Sequence, residues 1–160
     1  MKMFLIFLIT LSFINNCNDE SKKMIIYYYN TGGQSIIEVD NKTEELIIEH
    51  ITELFFNTSD RLRVHLNDNR ITHLKENEEI IEIKFKSLQK FNSQLYGENS
   101  VNMVLFPLSG DLIGNAENPI ITILVGEGNY NTGPYRNKAG FNKLNELKEI
   151  IKENLENNFF

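Results

Sequence analysis

Ile81-Glu82-Ile83-Lys84-Phe85-Lys86 alternates apolar and charged side chains with a period of two. Successive side chains of a strand point to opposite faces, so this run predicts a strand with Ile81, Ile83 and Phe85 toward a core and Glu82, Lys84 and Lys86 toward water. Glu78 and Glu79 then read as the polar approach to that strand. A sheet with one wet face favours antiparallel order, because parallel sheets are covered on both faces by their crossover helices.

The segments on either side fit the same plan. Met24 to Tyr29 and Ser35 to Val39 are β-branched and aromatic runs separated by Asn30-Thr31-Gly32-Gly33-Gln34, which predicts two strands about a glycine turn. Asn41 is a helix cap with Glu44 three residues on to return the hydrogen bond. Leu46, Ile47, Ile51, Leu54 and Phe55 then trace a helical stripe ending near Asn57, with His50 beside it as a solvated boundary residue. Arg61-Leu62-Arg63-Val64-His65-Leu66 alternates again and predicts a strand with one wet face. Asp68 to Asn77, with Ile71 and Leu74 three apart, predicts a short surface helix.

Downstream, Phe91 to Ser100 reads as a loop, Val101 to Phe106 as a strand ended by Pro107, and Leu108-Ser109-Gly110-Asp111 as a turn. Ile120 to Val125, opened by Pro119, is apolar on both faces and is the expected central strand. After a loop from Gly126 to Gly140, the residues Phe141, Leu144, Leu147, Ile151 and Leu155 line one face of a closing helix. The expected fold class is α+β: a single, mostly antiparallel sheet of five to six strands, with the first and last helices packed on one face.

The chain has 160 residues, 41% hydrophobic and 24% charged, with a net charge of −6. That is one domain of ordinary globular composition. Its acidic balance would repel a nucleic-acid duplex, so nucleic acid is not an expected partner. The single cysteine, Cys17, leaves no route to an intramolecular disulfide.

Residues 1–23 are of another kind. Lys2 gives a positive start, and Phe4 to Ile14 is an apolar run too short to span a bilayer, which needs about 20 such residues. This is the pattern of an export signal. Because the apolar run leads directly to Cys17, the segment resembles the signals of bacterial lipoproteins, in which that cysteine is lipidated and becomes the mature N-terminus. Ile14, Asn15 and Asn16 stand where that pattern carries Leu, a small residue, and Gly, Ala or Ser. The resemblance covers these seventeen residues alone. It implies a signal peptide over 1–16, a lipidated Cys17 as membrane anchor, a polar tether over 17–23 and a folded domain over 24–160. The implied location is the bacterial cell envelope, at the outer membrane and facing periplasm or surface.

Motifs of chemistry are sparse. Gly126-Glu127-Gly128-Asn129-Tyr130-Asn131 has Asn131 where a dinucleotide fingerprint needs its third glycine. Gly133 is followed by Pro134-Tyr135, not by the lysine of a phosphate loop. His50, His65 and His73 lack zinc-site spacing, and Ser109-Gly110-Asp111 lacks the nucleophile-elbow context. No catalytic residue, metal or cofactor is expected from these patterns. Tyr130, Asn131, Tyr135 and Arg136 are the candidate ligand-binding residues, since flat amphipathic rings and a forked cation suit a protein or glycan surface. The leading functional expectation is a non-enzymatic binding or accessory domain, an immunity-type role being one instance. A small hydrolase assembled from distant residues and a structural spacer remain open, and nothing in the chain sets an oligomeric state.

Overall fold

A computed structural model describes residues 22–64, 66–115, 117–130 and 132–157. Cys17 and the whole export-signal segment lie outside the described residues, as do His65 and Asn131.

The alternating run that begins the argument is part of β4 (Ile80–Ser93), a strand of 14 residues that pairs antiparallel with β5 (Gly97–Pro107). β1 (Met24–Asn30) lies on the other side of β4 and pairs outward with β2 (Gly33–Ile37). Their turn places both Thr31 and Gly32 at positive φ, the geometry whose twist matches a two-residue hairpin. β6 (Ile121–Gly126) follows β5, then β7 (Tyr135–Asn137), then the two-residue β3 (Asp60–Arg61). The result is one antiparallel sheet of seven strands in the order β2-β1-β4-β5-β6-β7-β3. The α+β class holds, with short β3 and β7 carrying the count above the expected five to six. All six residues of β6 are buried, and it sits one place from the middle strand β5.

α1 (Asn41–Phe56) and α3 (Phe141–Asn157) pack on one face. Ile47, Ile51, Leu54 and Phe55 from α1 meet Leu144, Leu147 and Ile151 from α3 over Ile26, Ile81, Ile83, Val104, Phe106 and Ile123. α2 (Asp68–Asn77), capped by Asn67, sits alone on the opposite face, where Ile71 and Leu74 contact Ile80, Met103, Leu105, Leu124 and Tyr130.

This second layer corrects the expectation of a wet face. Glu82 is fully buried, because α2 carries Lys75 over it. His50 is buried as well and not solvated: its Nδ1 lies 3.0 Å from the Leu46 carbonyl oxygen and its Nε2 3.4 Å from Glu146 of α3, which closes over the ring. Leu46 takes the exposed position instead. The cap of α1 is Asp40, not Asn41, with its carboxylate accepting from Thr43 N at 2.7 Å. Glu44 accepts from the amides of Lys23 and Met24 at 3.0 to 3.3 Å, anchoring the first turn of α1 to the start of β1.

The expected loop from Phe91 to Ser100 is mostly ladder. Phe91 is buried against Phe55 and Phe85, and only Gln94, Leu95 and Tyr96 turn. Ser93 Oγ accepts from the Leu95 and Tyr96 amides, and Gly97 takes the positive φ that completes the turn. Among the described residues, the strand expected over Arg61 to Leu66 is ladder-paired only at Arg61, with Asp60 before it, because β7 begins at Tyr135, the partner of Arg61, and Pro134 precedes it.

Candidate functional site

Three segments meet beside this unpaired stretch. α1 ends at Phe56, whose carbonyl accepts from Gln94 N at 3.1 Å, and Thr58 Oγ1 lies 2.6 Å from Ser93 Oγ. These bonds dock the β4–β5 turn against the helix end. β7 is held to the same helix by Asn137, whose Nδ2 donates to Leu54 O at 2.9 Å. Ser59 N donates to Arg136 O and Leu62 N to Pro134 O, both at 2.8 Å, so the chain after α1 lies along β7.

Between these segments is a groove of about 540 Å³ lined by Asp60, Arg61, Leu62, Arg63, Val64, Tyr96 and Gly133. Tyr135 forms the support beneath it: its ring packs edge-on against Phe55 at 4.8 Å and against Tyr96 at 5.6 Å. The Arg61 guanidinium stands over that ring, 5.4 Å from its centroid. A cation on an aromatic face is attracted by the ring quadrupole, which orients Arg61 without a counter-carboxylate. Burial pushes the Tyr135 phenol above its ordinary pKa, and its oxygen donates to Asn99 Oδ1 at 2.8 Å. Gly133 is required on the other wall, because a Cβ there would fall 2.5 Å from Leu62 O.

Among the described residues neither Arg61 nor Arg63 forms an ion pair, although the chain as a whole is acidic. Val64 and Tyr96 are 47% and 40% exposed, and Phe56 and Leu95 extend the apolar surface at the neighbouring turn. Chemically the groove offers two forked cations, the Asp60 carboxylate, which accepts from the Arg61 amide at 2.7 Å, an amphipathic ring and a small apolar surface. These are features of a recognition surface, where Arg and Tyr are the usual anchors.

A second polar cluster is built differently. Glu82 Oε1 accepts from Lys75 Nζ at 2.7 Å and from Tyr130 OH at 2.8 Å, while Oε2 accepts from Tyr29 OH at 2.8 Å. Burial pushes this carboxyl up, but the hydrogen bonds from Lys75, Tyr29 and Tyr130 outweigh it and hold Glu82 below the usual carboxylate range. Burial and the same carboxylate push both phenols up. Among the described residues every buried side-chain nitrogen and oxygen has a partner. The Glu82 cluster therefore serves to hold α2 on the sheet.

Of the four expected binding residues, the three that are described do not come together. Tyr130 is buried on the α2 face against Glu82, whereas Tyr135 is buried on the α1 and α3 face. Arg136 lies in β7 and lines a smaller cavity with Leu62, Asp111 and Thr122. Asn131 is outside the described residues. Of the three described, Tyr135 alone takes part in the groove, as its support. Arg61, Arg63 and Tyr96 were hidden in a supposed ladder and a supposed loop. The pair of arginines at alternate positions, in a chain short of arginine, was the available signal.

Among the described residues no three His, Cys, Asp or Glu side chains gather as a metal site, and no helix is long and apolar enough to cross a membrane. No family model, curated protein or solved structure matches the chain.

Proposed function

We propose that this chain is a lipid-anchored protein of the bacterial cell envelope whose folded domain binds a protein partner through the groove between β3 and the β4–β5 turn. The anchor part of the reading rests on the apolar run of residues 4–14 ending near Cys17. The binding part rests on one observation: two guanidiniums free of carboxylate partners among the described residues converge with the exposed ring of Tyr96 on a single groove. Three charged side chains, Asp60, Arg61 and Arg63, stand there beside Tyr96, Leu62 and Val64, a mixed polar and apolar lining that suits recognition more than bond-breaking.

Two measurements test it. Cys17→Ala is expected to release the protein from the membrane fraction, and continued partition with membranes overturns the anchor. Photo-crosslinking groups placed at positions 63 and 96 are expected to trap a discrete protein adduct in cells, while one at Glu49, on the exposed side of α1, traps none. Identical adducts from all three positions, or none from any, overturn the groove as the binding site.

A further inference from the structure

The segment after β3 has the side-chain pattern of a strand and no strand beside it. Arg61-Leu62-Arg63-Val64 alternates, yet the ladder to β7 stops at Arg61. Among the described residues the amide and carbonyl groups of Arg63 and Val64 have no backbone partner. β3 is also the last strand of the sheet and pairs only with β7, so its outer edge is open. An open edge is a template for another strand, and this one is short and carries Asp60, Arg61 and Arg63, so it admits a guest by charge and not indiscriminately.

We propose that this edge, from Arg61 to Val64, captures an extended acidic peptide segment of the partner by strand addition. The proposal rests on the groove being the binding site and names what occupies it. In strand addition the main-chain bonds supply affinity and alternate side chains supply selection. Side chains two apart on a strand point the same way and lie about 6.6–6.8 Å apart, so acids at alternate positions of a guest would meet Arg61 and Arg63 together. Guanidinium and carboxylate match as fork to fork, and neither arginine would first have to break an ion pair with a described residue. The intervening guest side chains fall on the opposite face, that of Leu62 and the exposed Val64, while Tyr96 stays beside Arg61 on the Tyr135 side.

The probe is a terminally blocked eight-residue peptide alternating glutamate and valine, titrated against the protein by fluorescence anisotropy. It is expected to bind at least about tenfold more tightly than its lysine-valine counterpart, since like charges facing each other across an interface are costly. N-methylation of alternate amides, made in both registers, is expected to abolish binding in one register. Arg61→Glu combined with Arg63→Glu is expected to invert the preference, with an unchanged circular-dichroism melt as the check on folding. Equal binding of lysine-valine overturns the acidic class. Undiminished binding of both N-methylated peptides overturns strand addition and leaves the groove reading standing on side-chain contacts. If no peptide binds, the proposal fails; the groove reading fails with it only if the adducts from positions 63 and 96 are also missing.

Discussion

The two faces of the sheet are closed by opposite means. On one, α1 and α3 lay down two apolar stripes, and the closure comes from hydrophobic area and from the interlocking of Phe55, Phe91 and Tyr135. On the other, α2 contributes only Ile71 and Leu74 as buried apolar residues and depends on Lys75 reaching the buried carboxylate of Glu82. The first face tolerates no missing volume. The second tolerates no unpaired charge.

The sharpest way to separate them is to damage each in turn. Phe55→Ala is expected to cost about 3–5 kcal/mol by lost contacts and a residual cavity, and calorimetry should find that cost nearly independent of pH. Lys75→Met leaves Glu82 buried with only the more distant Lys84 ammonium, 3.9 Å away and toward solvent, and is expected to cost up to about 3–5 kcal/mol at neutral pH. The carboxyl would then be held above its unfolded value, so the penalty is full at neutral pH and fades as pH falls toward about 4, where the carboxyl takes a proton in either state. A pH-independent penalty in Lys75→Met would show that the second face is closed by area after all.

Replacing the polar closure outright should do far less harm than breaking it. Lys75→Met, Glu82→Leu and Tyr130→Phe together remove the Lys75–Glu82 pair and the buried phenol and leave Lys84 to solvent, and the triple variant is expected to lie within about 2 kcal/mol of the parent in urea titration. A loss as large as that of Lys75→Met alone would show that the network contributes more than its own neutralisation.

Glu79 provides a pH test at the margin of the apolar face, where it accepts from Lys148 at 2.8 Å and pairs with Lys152 at 3.1 Å, with Tyr28 donating as well. Burial raises this carboxyl, but the bonds from Lys148, Tyr28 and Lys152 bring it down to about 2. A depressed folded value means stabilisation that is present above the unfolded value, about 4.3, and lost as pH falls to about 2. The stability gap between the parent and Glu79→Gln is expected to narrow over that window, and a gap that stays constant would remove the assignment. The smallest effect belongs to the bidentate pair of Arg70 and Asp111 at 2.7 and 2.8 Å. It lies toward solvent, so Asp111→Asn is expected to cost less than about 1 kcal/mol and less still in high salt.

These two faces also explain what could be read from the residues. Period two over Ile81 to Lys86 announces a strand because alternation is a local property, and the stripes of α1 and α3 announce themselves for the same reason. That Glu82 lies under a helix is not local: Lys75, Tyr29 and Tyr130 come from three separate segments, and alternation alone cannot distinguish a carboxylate facing water from one facing an ammonium. Tyr130 and Tyr135 sit five residues apart yet belong to opposite faces. The groove was least legible of all, since Arg61, Tyr96 and Gly133 converge only after the β4–β5 turn has docked on the end of α1.

That docking gives α1 a mechanical role. At one end Glu44 grips the amides where the chain enters the domain, and at the other Phe56 and Thr58 brace the turn that carries Tyr96. The helix between Glu44 and Phe56 is about 18 Å of stiff rod. The start of β1 and the rim of the groove are therefore held a fixed distance apart by a single helix.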